Sequence, residues 1–170
     1  MFMHQPFDPH HIGSLSHIFF NMFGLYMFGT VLEQVWGPRR FLEFYMLTGF
    51  GAVALYLGVQ ALQIYYVSGT FAPPLYLQDA NKYLAILVNE PNIGASGAIF
   101  GLLTGYGILF ADTELYLFAA IPIKAKYLVA AMVAYELYRG AANTDNVAHF
   151  AHLGGALIAY IIVRIWHGKR

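Results

Sequence analysis

There is no cysteine among the 170 residues. That excludes disulfides, thiolate metal sites and a cysteine nucleophile. Charge is also scarce. Nine basic and nine acidic residues cancel, and charged side chains make up 11% of the chain, less than half the usual ~25%. With no excess of positive charge there is no basic face for nucleic acid, and none is expected as a partner. So few charges cannot coat a soluble globule of 19.0 kDa. Disorder fails on the opposite count, because 59% of the residues are hydrophobic. Mean hydropathy is +0.55. The composition is that of a polytopic membrane protein, and in lipid a chain of this pattern must satisfy its backbone as helices. The expected fold class is an all-α membrane bundle.

A span needs about 20 mostly apolar residues. Five stretches qualify: about 15–35 (A), 41–67 (B), 93–111 (C), 115–138 (D) and 147–166 (E). Gly37-Pro38-Arg39-Arg40 separates A from B. Pro73-Pro74 and the polar run from Gln78 to Asn92 separate B from C. Asp112, Thr113 and Glu114 end C, and Gly140 to Asp145 separates D from E. No soluble domain, linker or repeat is visible, so the chain reads as a single transmembrane domain.

Lys and Arg set the orientation. Arg39, Arg40, Lys124, Lys126, Arg164, Lys169 and Arg170 fall on one side, against Lys82 and Arg139 on the other. This bias places the C-terminus in the cytoplasm and suits a bacterial inner membrane. Spans A, C and E then all begin near the outer face. Five spans put the N-terminus outside, yet Met1 to Ser14 lacks the basic and apolar regions of a signal peptide. The expectation is an upstream helix that this chain lacks.

Polar residues inside spans are expensive and mark candidate sites. Span A holds Ser16, His17 and Asn21; span C holds Ser96 and Thr104; span E holds His149 and His152. His17, Asn21, Ser96 and His152 fall at similar depth below the outer face. His17 and Asn21, at i and i+4, share a helix face about 6 Å apart along the axis. They serve either as a helix–helix hydrogen bond or as a pair of donors. Ser96 lies in Gly94-Ala95-Ser96-Gly97, followed by Gly101 and Gly105, a ridge that lets a neighbouring backbone come close. Span E carries a matching ridge of Ala151, Gly155 and Ala159. Packing of C on E would bring the Ser96 hydroxyl within reach of His152, the arrangement of a base-activated nucleophile. The same glycines also suit simple packing. His149 and His152 invite a metal reading, but Glu136, at the end of span D, is the lone acid near their depth. No metal site and no cofactor are expected. Asp145 is placed in the loop before span E, and His4, His10 and His11 outside the apolar layer.

Three motifs in order, His17-Ile-Phe-Phe-Asn21, Gly94-Ala-Ser96-Gly97 and Ala151-His152-Leu-Gly-Gly155, resemble the signatures of the rhomboid intramembrane serine proteases. Glu33-Gln-Val-Trp-Gly37-Pro-Arg-Arg-Phe41 is similar to the cytoplasmic end of that family's second helix. The resemblance implies that spans A to E are five of a six-helix core. It implies Ser96 as nucleophile and His152 as general base, a dyad with no carboxylate partner. His17, Asn21 and the Ser96 N–H would form the oxyanion hole. Gly94 and Gly97 would give the backbone close approach, and Gly101 and Gly155 would let the Ser and His helices pack. Phe100 would pack on the imidazole. The D–E loop near Gly140 to Asn146 would be a mobile cover. Substrates would be single-pass membrane proteins cleaved within the bilayer. The family's first helix and the Trp-Arg pair of its following loop have no counterpart here.

Two other readings address the same residues. A silent rhomboid-like protein that binds membrane clients is disfavoured by the presence of both Ser96 and His152. A small transporter predicts polar groups along a through-pathway, whereas here they stop near one face.

Overall fold

The computed structural model describes residues 12–74, 76–77, 81, 84–85, 94–117, 120–142 and 148–167, with backbone only at 12–16, 117 and 148. His4, His10, His11, Lys82, Asp145, Asn146, Lys169, Arg170 and the Ser16 side chain lie outside this description. The expected helical bundle is observed. Helix α1 (Ile12–Gly24) passes through a π-helical turn, Leu25–Gly29, into α2 (Thr30–Ser68). Then come α3 (Ser96–Leu109), a hairpin of β1 (Glu114–Leu117) and β2 (Ile121–Lys124), α4 (Ala125–Ala142) and α5 (Ala148–His167). Among the described residues two stretches are long and apolar enough to cross a membrane, His17–Ser68 and His149–His167, and Ser96–Leu109 is a shorter apolar helix.

The first of these stretches is two limbs. Gly37 has φ +78° and ψ 162° inside α2, a conformation glycine tolerates, and Pro38 disfavours helical geometry in the residue before it. A straight helix would hold Gly29 and Phe41 about 18 Å apart. Instead a Cβ added at Gly29 would lie 3.3 Å from the Phe41 ring, so the chain doubles back at Gly37. The reversal is pinned to the end of α5. The Trp36 Nε1–H donates to His167 Nε2 at 3.0 Å, Trp36 meets Trp166 edge-on, and Arg40 lies over the Trp166 ring. The second limb ends at Gly69, in left-handed geometry, whose N–H bonds the Tyr65 carbonyl.

Glycine contacts give the packing directions. Gly97, Gly101 and Gly105 face Ala52, Thr48 and Phe44 in turn, so α3 runs antiparallel to the second limb of α2. The glycine ridge of α3 therefore seats α2 along most of its length. The expected seat on α5 is confined to one end, where a Cβ on Gly155 would overlap the Gly97 carbonyl. There α3 and α5 run side by side, with Ala159, Ile162 and Val163 packed in one cluster with Leu102. The deep hydroxyls are satisfied within their own helices: Thr104 donates to the Phe100 carbonyl at 2.9 Å and Thr48 to the Tyr45 carbonyl at 2.9 Å.

One expectation is corrected. Span D does not begin as helix at Leu115. Residues Glu114 to Leu117 pair antiparallel with Ile121 to Lys124, and helix begins at Ala125. Pro122 would cost a helix interior about 3 kcal/mol, and the flanking Ile121 and Ile123 favour extended backbone. Lys126 and Lys124 close the turn on Asp112 at 2.7 and 3.3 Å. Their hydrogen bonds, with Lys126 the larger influence, hold the Asp112 carboxyl below its usual range.

The Gly97–Gly155 contact predicts its own disruption. Gly155→Val should destabilise the bundle by about 1–3 kcal/mol or more through overpacking, read as a fall in thermal midpoint in detergent. Gly58 has no atom within 4 Å of an added Cβ. Gly58→Ala should raise stability by about 0.5–1 kcal/mol, and a loss of similar size at both sites would count against this packing.

Candidate active site

Ser96 opens α3, and the residue before it, Ala95, supplies no side-chain cap. The first backbone N–H groups of α3 therefore have no capping side chain, and the positive end of the helix dipole lies at Ser96. The helix has 14 residues, or about 21 Å of length, against a hydrocarbon core of about 30 Å. An α-helix this short cannot span the apolar layer alone.

Because α3 and α5 meet at Gly97 and Gly155, the side chains just above that contact converge. His152 Nε2 lies 3.0 Å from Ser96 Oγ. The Phe100 ring, one turn below Ser96, stacks on the His152 imidazole with centroids 5.3 Å apart and planes 6° from parallel. That flat contact limits tilting of the imidazole out of its plane.

Helix α1 supplies the third side. An added Cβ at Gly94 would lie 3.9 Å from His17 Nε2 and 3.7 Å from Ser96 Oγ. One at Gly24 would meet Ile99. Helix α1 therefore runs alongside the first turns of α3 in the same direction. Asn21 lies between His17 and Gly24 on that face and is 6% exposed. Its Nδ2 has no hydrogen-bond partner among the described residues. The π turn at Leu25 comes directly after α1. Such a turn adds a residue to the helix and shifts the phase of the residues beyond it. His17, Asn21, Ser96, Phe100 and His152 are thus gathered around one point. Gly97 and Gly155 provide the close approach of α3 to α5, Gly101 seats Thr48 of α2, and a Cβ at Gly94 would make only ordinary contacts.

A further side chain reaches this point, and the sequence pattern did not single it out as part of the site. Glu136, on α4, is 8% exposed. Its Oε2 lies 2.5 Å from His149 Nδ1, and its Oε1 lies 3.0 Å from His152 Nδ1. The second approach is within ion-pair distance but off the hydrogen-bond line. The approach of α4 to α5 is visible again where the Phe150 ring lies 3.2 Å from a Cβ added at Gly140. The available sequence signal was an acid in an otherwise apolar stretch, 13 residues before His149.

Glu136, His149 and His152 offer three ligand atoms within 4.8 Å of one another and could be brought around a metal ion. The donor spacing favours hydrogen bonding. Two ligands of a tetrahedral zinc ion at ~2.0–2.1 Å stand about 3.3 Å apart, whereas the two carboxylate–imidazole separations are 2.5 and 3.0 Å.

Comparison with known proteins gives a consistent family. A model described as the rhomboid domain matches residues 10–169. The RHOMBOID-like protein 12, mitochondrial, of Arabidopsis thaliana is 30% identical over 158 residues, covering 91% of this chain and 44% of that protein. Rhomboid protease AarA of Providencia stuartii is 29% identical over 154 residues, covering 86% of this chain and 50% of that protein. Rhomboid protease GluP of Bacillus subtilis is 28% identical over 150 residues, covering 88% of this chain and 23% of that protein. The chain therefore spans half or less of the length of these relatives. No solved structure matches it. With the match running through all three motif-bearing helices, the chain belongs to the rhomboid family of integral membrane proteins.

Proposed function

We propose that this chain is an intramembrane serine endopeptidase acting through Ser96 and His152. The observation that carries the reading is the 3.0 Å approach of His152 Nε2 to Ser96 Oγ at an uncapped helix start. Two relatives bear the name rhomboid protease, which supports the reaction class.

A serine hydroxyl is a weak nucleophile until a base takes its proton. In the proposed step His152 accepts the Ser96 proton as Oγ attacks the carbonyl carbon of the scissile peptide. The carbonyl oxygen becomes an oxyanion. Asn21 Nδ2–H, His17 and the Ser96 N–H would donate to it, and the buried, unpartnered Asn21 amide is suited to that role. Collapse of the tetrahedral species breaks the C–N bond, and His152 gives its proton to the departing amine. A water molecule, deprotonated by the same imidazole, then releases the acyl group.

The substrate would be a single-pass transmembrane protein whose helix unwinds locally near the outer face, where water can also enter. The Lys and Arg bias supports an outward position of this face and a cytoplasmic C-terminus, and a bacterial inner membrane is the proposed setting. Spans A to E are taken as membrane crossings on the same basis.

Labelling by a fluorophosphonate probe tests the nucleophile. The chain in liposomes should take label, and Ser96→Ala should take none. An unlabelled wild-type chain that also leaves model transmembrane substrates intact would overturn the protease reading in favour of a client-binding protein.

Two further substitutions test the roles of neighbouring groups. Asn21→Ala should lower cleavage about 10²- to 10³-fold, the usual effect of removing one oxyanion donor, with an unchanged thermal midpoint. His152→Ala should abolish turnover, while His149→Ala should lower it and leave a measurable part. The opposite pattern in a cleavage assay would reassign the base to His149.

A further inference from the structure

We propose that Glu136 is a positioning residue for His152, orienting the imidazole of the Ser96–His152 pair, with the carboxylate held from behind by His149. The inference rests on the protease reading and adds a carboxylate to it.

Begin with the imidazole. To accept the Ser96 proton, His152 must present a lone pair at Nε2. In the neutral ring the proton then sits on Nδ1. That nitrogen faces Glu136 Oε1 at 3.0 Å. A carboxylate there favours the Nδ1–H tautomer over its alternative and leaves Nε2 free for the hydroxyl at 3.0 Å. When the proton arrives, the ring becomes a cation, and the adjacent carboxylate stabilises it. The off-line approach of Nδ1 is ordinary for a resting site, since catalytic hydrogen bonds tighten as substrate binds.

The carboxylate is itself held. Its other oxygen lies 2.5 Å from His149 Nδ1, so each oxygen meets one imidazole. An ionised glutamate inside an apolar bundle is costly unless paired. Glu136 is nearly fully buried, and its hydrogen bond to His149 and its ion-pair approach to the His152 imidazole offset that cost. A carboxylate bridging two histidines is a specific arrangement. A general requirement for polarity at this depth would not direct both of its oxygens to ring nitrogens. Phe100 holds the opposite face of His152, so the ring is constrained by stacking and by both nitrogens.

The ionisable groups around His152 come from every neighbouring helix. Helix α4 contributes Glu136, with Arg139 one turn on; α5 contributes His149. Helix α1 contributes His17, beside Ser96 and Gly94. Helix α2 contributes Tyr56, packed with Ala151 and Phe150. Among these, Glu136 is the one acid aimed at Nδ1.

The test is Glu136→Gln in the full chain, reconstituted in liposomes, with fluorophosphonate labelling of Ser96 followed from about pH 5 to pH 9, the range in which an imidazole titrates. The shape is kept and the charge is lost. Labelling at neutral pH should fall about tenfold or more. The acid limb of the profile should move to lower pH, because an imidazolium without its carboxylate gives up its proton more readily. Glu136→Asp should restore the position of the limb. A lower plateau with an unmoved limb would mean a merely structural role and would overturn the proposal, as would an unchanged rate.

Histidine-selective nitrogen NMR of the Ser96→Ala chain separates this inference from the protease reading. His152 should carry its proton on Nδ1 in a low-field hydrogen bond, a signal that needs neither activity nor a change at Glu136. Should the wild-type chain take no label at all, the protease reading fails alone. The Nδ1–H signal then decides whether Glu136 holds His152: its presence supports the contact and its absence removes it.

Discussion

Where α5 crosses α3, the backbone at Gly155 lies against the carbonyl oxygen of Gly97, with no room for a methyl group between them. The meeting of Ser96 with His152 depends on that contact. One residue before Gly97 is Ser96, and three before Gly155 is His152. With the backbones this close, their side chains meet at hydrogen-bond distance. A separation wider by one methyl would leave the imidazole short of the hydroxyl. In lipid there is no hydrophobic force to press two helices together, so close packing of small residues has to supply the attraction. The same need explains the rest of the α3 ridge, where Gly101 and Gly105 seat Thr48 and Phe44 of α2. The α2 limb braces α5 as well, for a Cβ at Gly154 would meet the Gly51 carbonyl at 2.6 Å. Three helices therefore close around a set of glycines, and the polar groups are carried at its rim.

Polar groups inside such a bundle divide into two kinds. Thr48 and Thr104 return their hydroxyls to carbonyls of their own helices, which removes the cost of burying them and leaves nothing for chemistry. Ser96, His152, His149 and Glu136 instead bond across helices, and the Asn21 amide keeps a donor with no partner among the described residues. The distinction is physical. A group satisfied within one turn would be content in any helix, while a group satisfied only across helices depends on the assembled bundle. Among the described residues the second kind gathers around Ser96, apart from the Trp36–His167 bond at the opposite end of α5.

The residue types around Ser96 were largely readable from the chain. His17 and Asn21 on one helical face, Ser96 beside a glycine ridge, and His152 three before Gly155 are all matters of helical spacing. Phe100 also lies where one turn of helix places it. Two features were not readable. The hairpin from Glu114 to Lys124 lies in a run as apolar as a span, and a short apolar run does not declare helix or strand by periodicity. Pro122 was the available clue. That shift also moves the start of α4 to Ala125, so the face on which Glu136 lies depends on a boundary that composition does not set. Its contact with His149 and His152 joins two helices across a loop, and spacing within either helix says nothing about it. The chain reversal at Gly37, by contrast, was signalled by Gly-Pro, whose backbone preferences operate without tertiary help.

The shortness of α3 connects these points. A helix of 14 residues ends before it can cross about 30 Å of hydrocarbon, so an end of it must lie within the apolar layer. Unpaired N–H groups are intolerable there unless something covers them or they face a polar cavity. At Ser96 no side chain caps them. Around that end stand His17 and Asn21 from α1 and His152 from α5, a small polar enclosure at depth. A water-accessible recess at this point would resolve the cost of the open helix end and, in the proposed reaction, would admit the water that hydrolysis consumes. The feature that makes α3 a poor membrane span is therefore the one that suits its first residue to the proposed role of nucleophile.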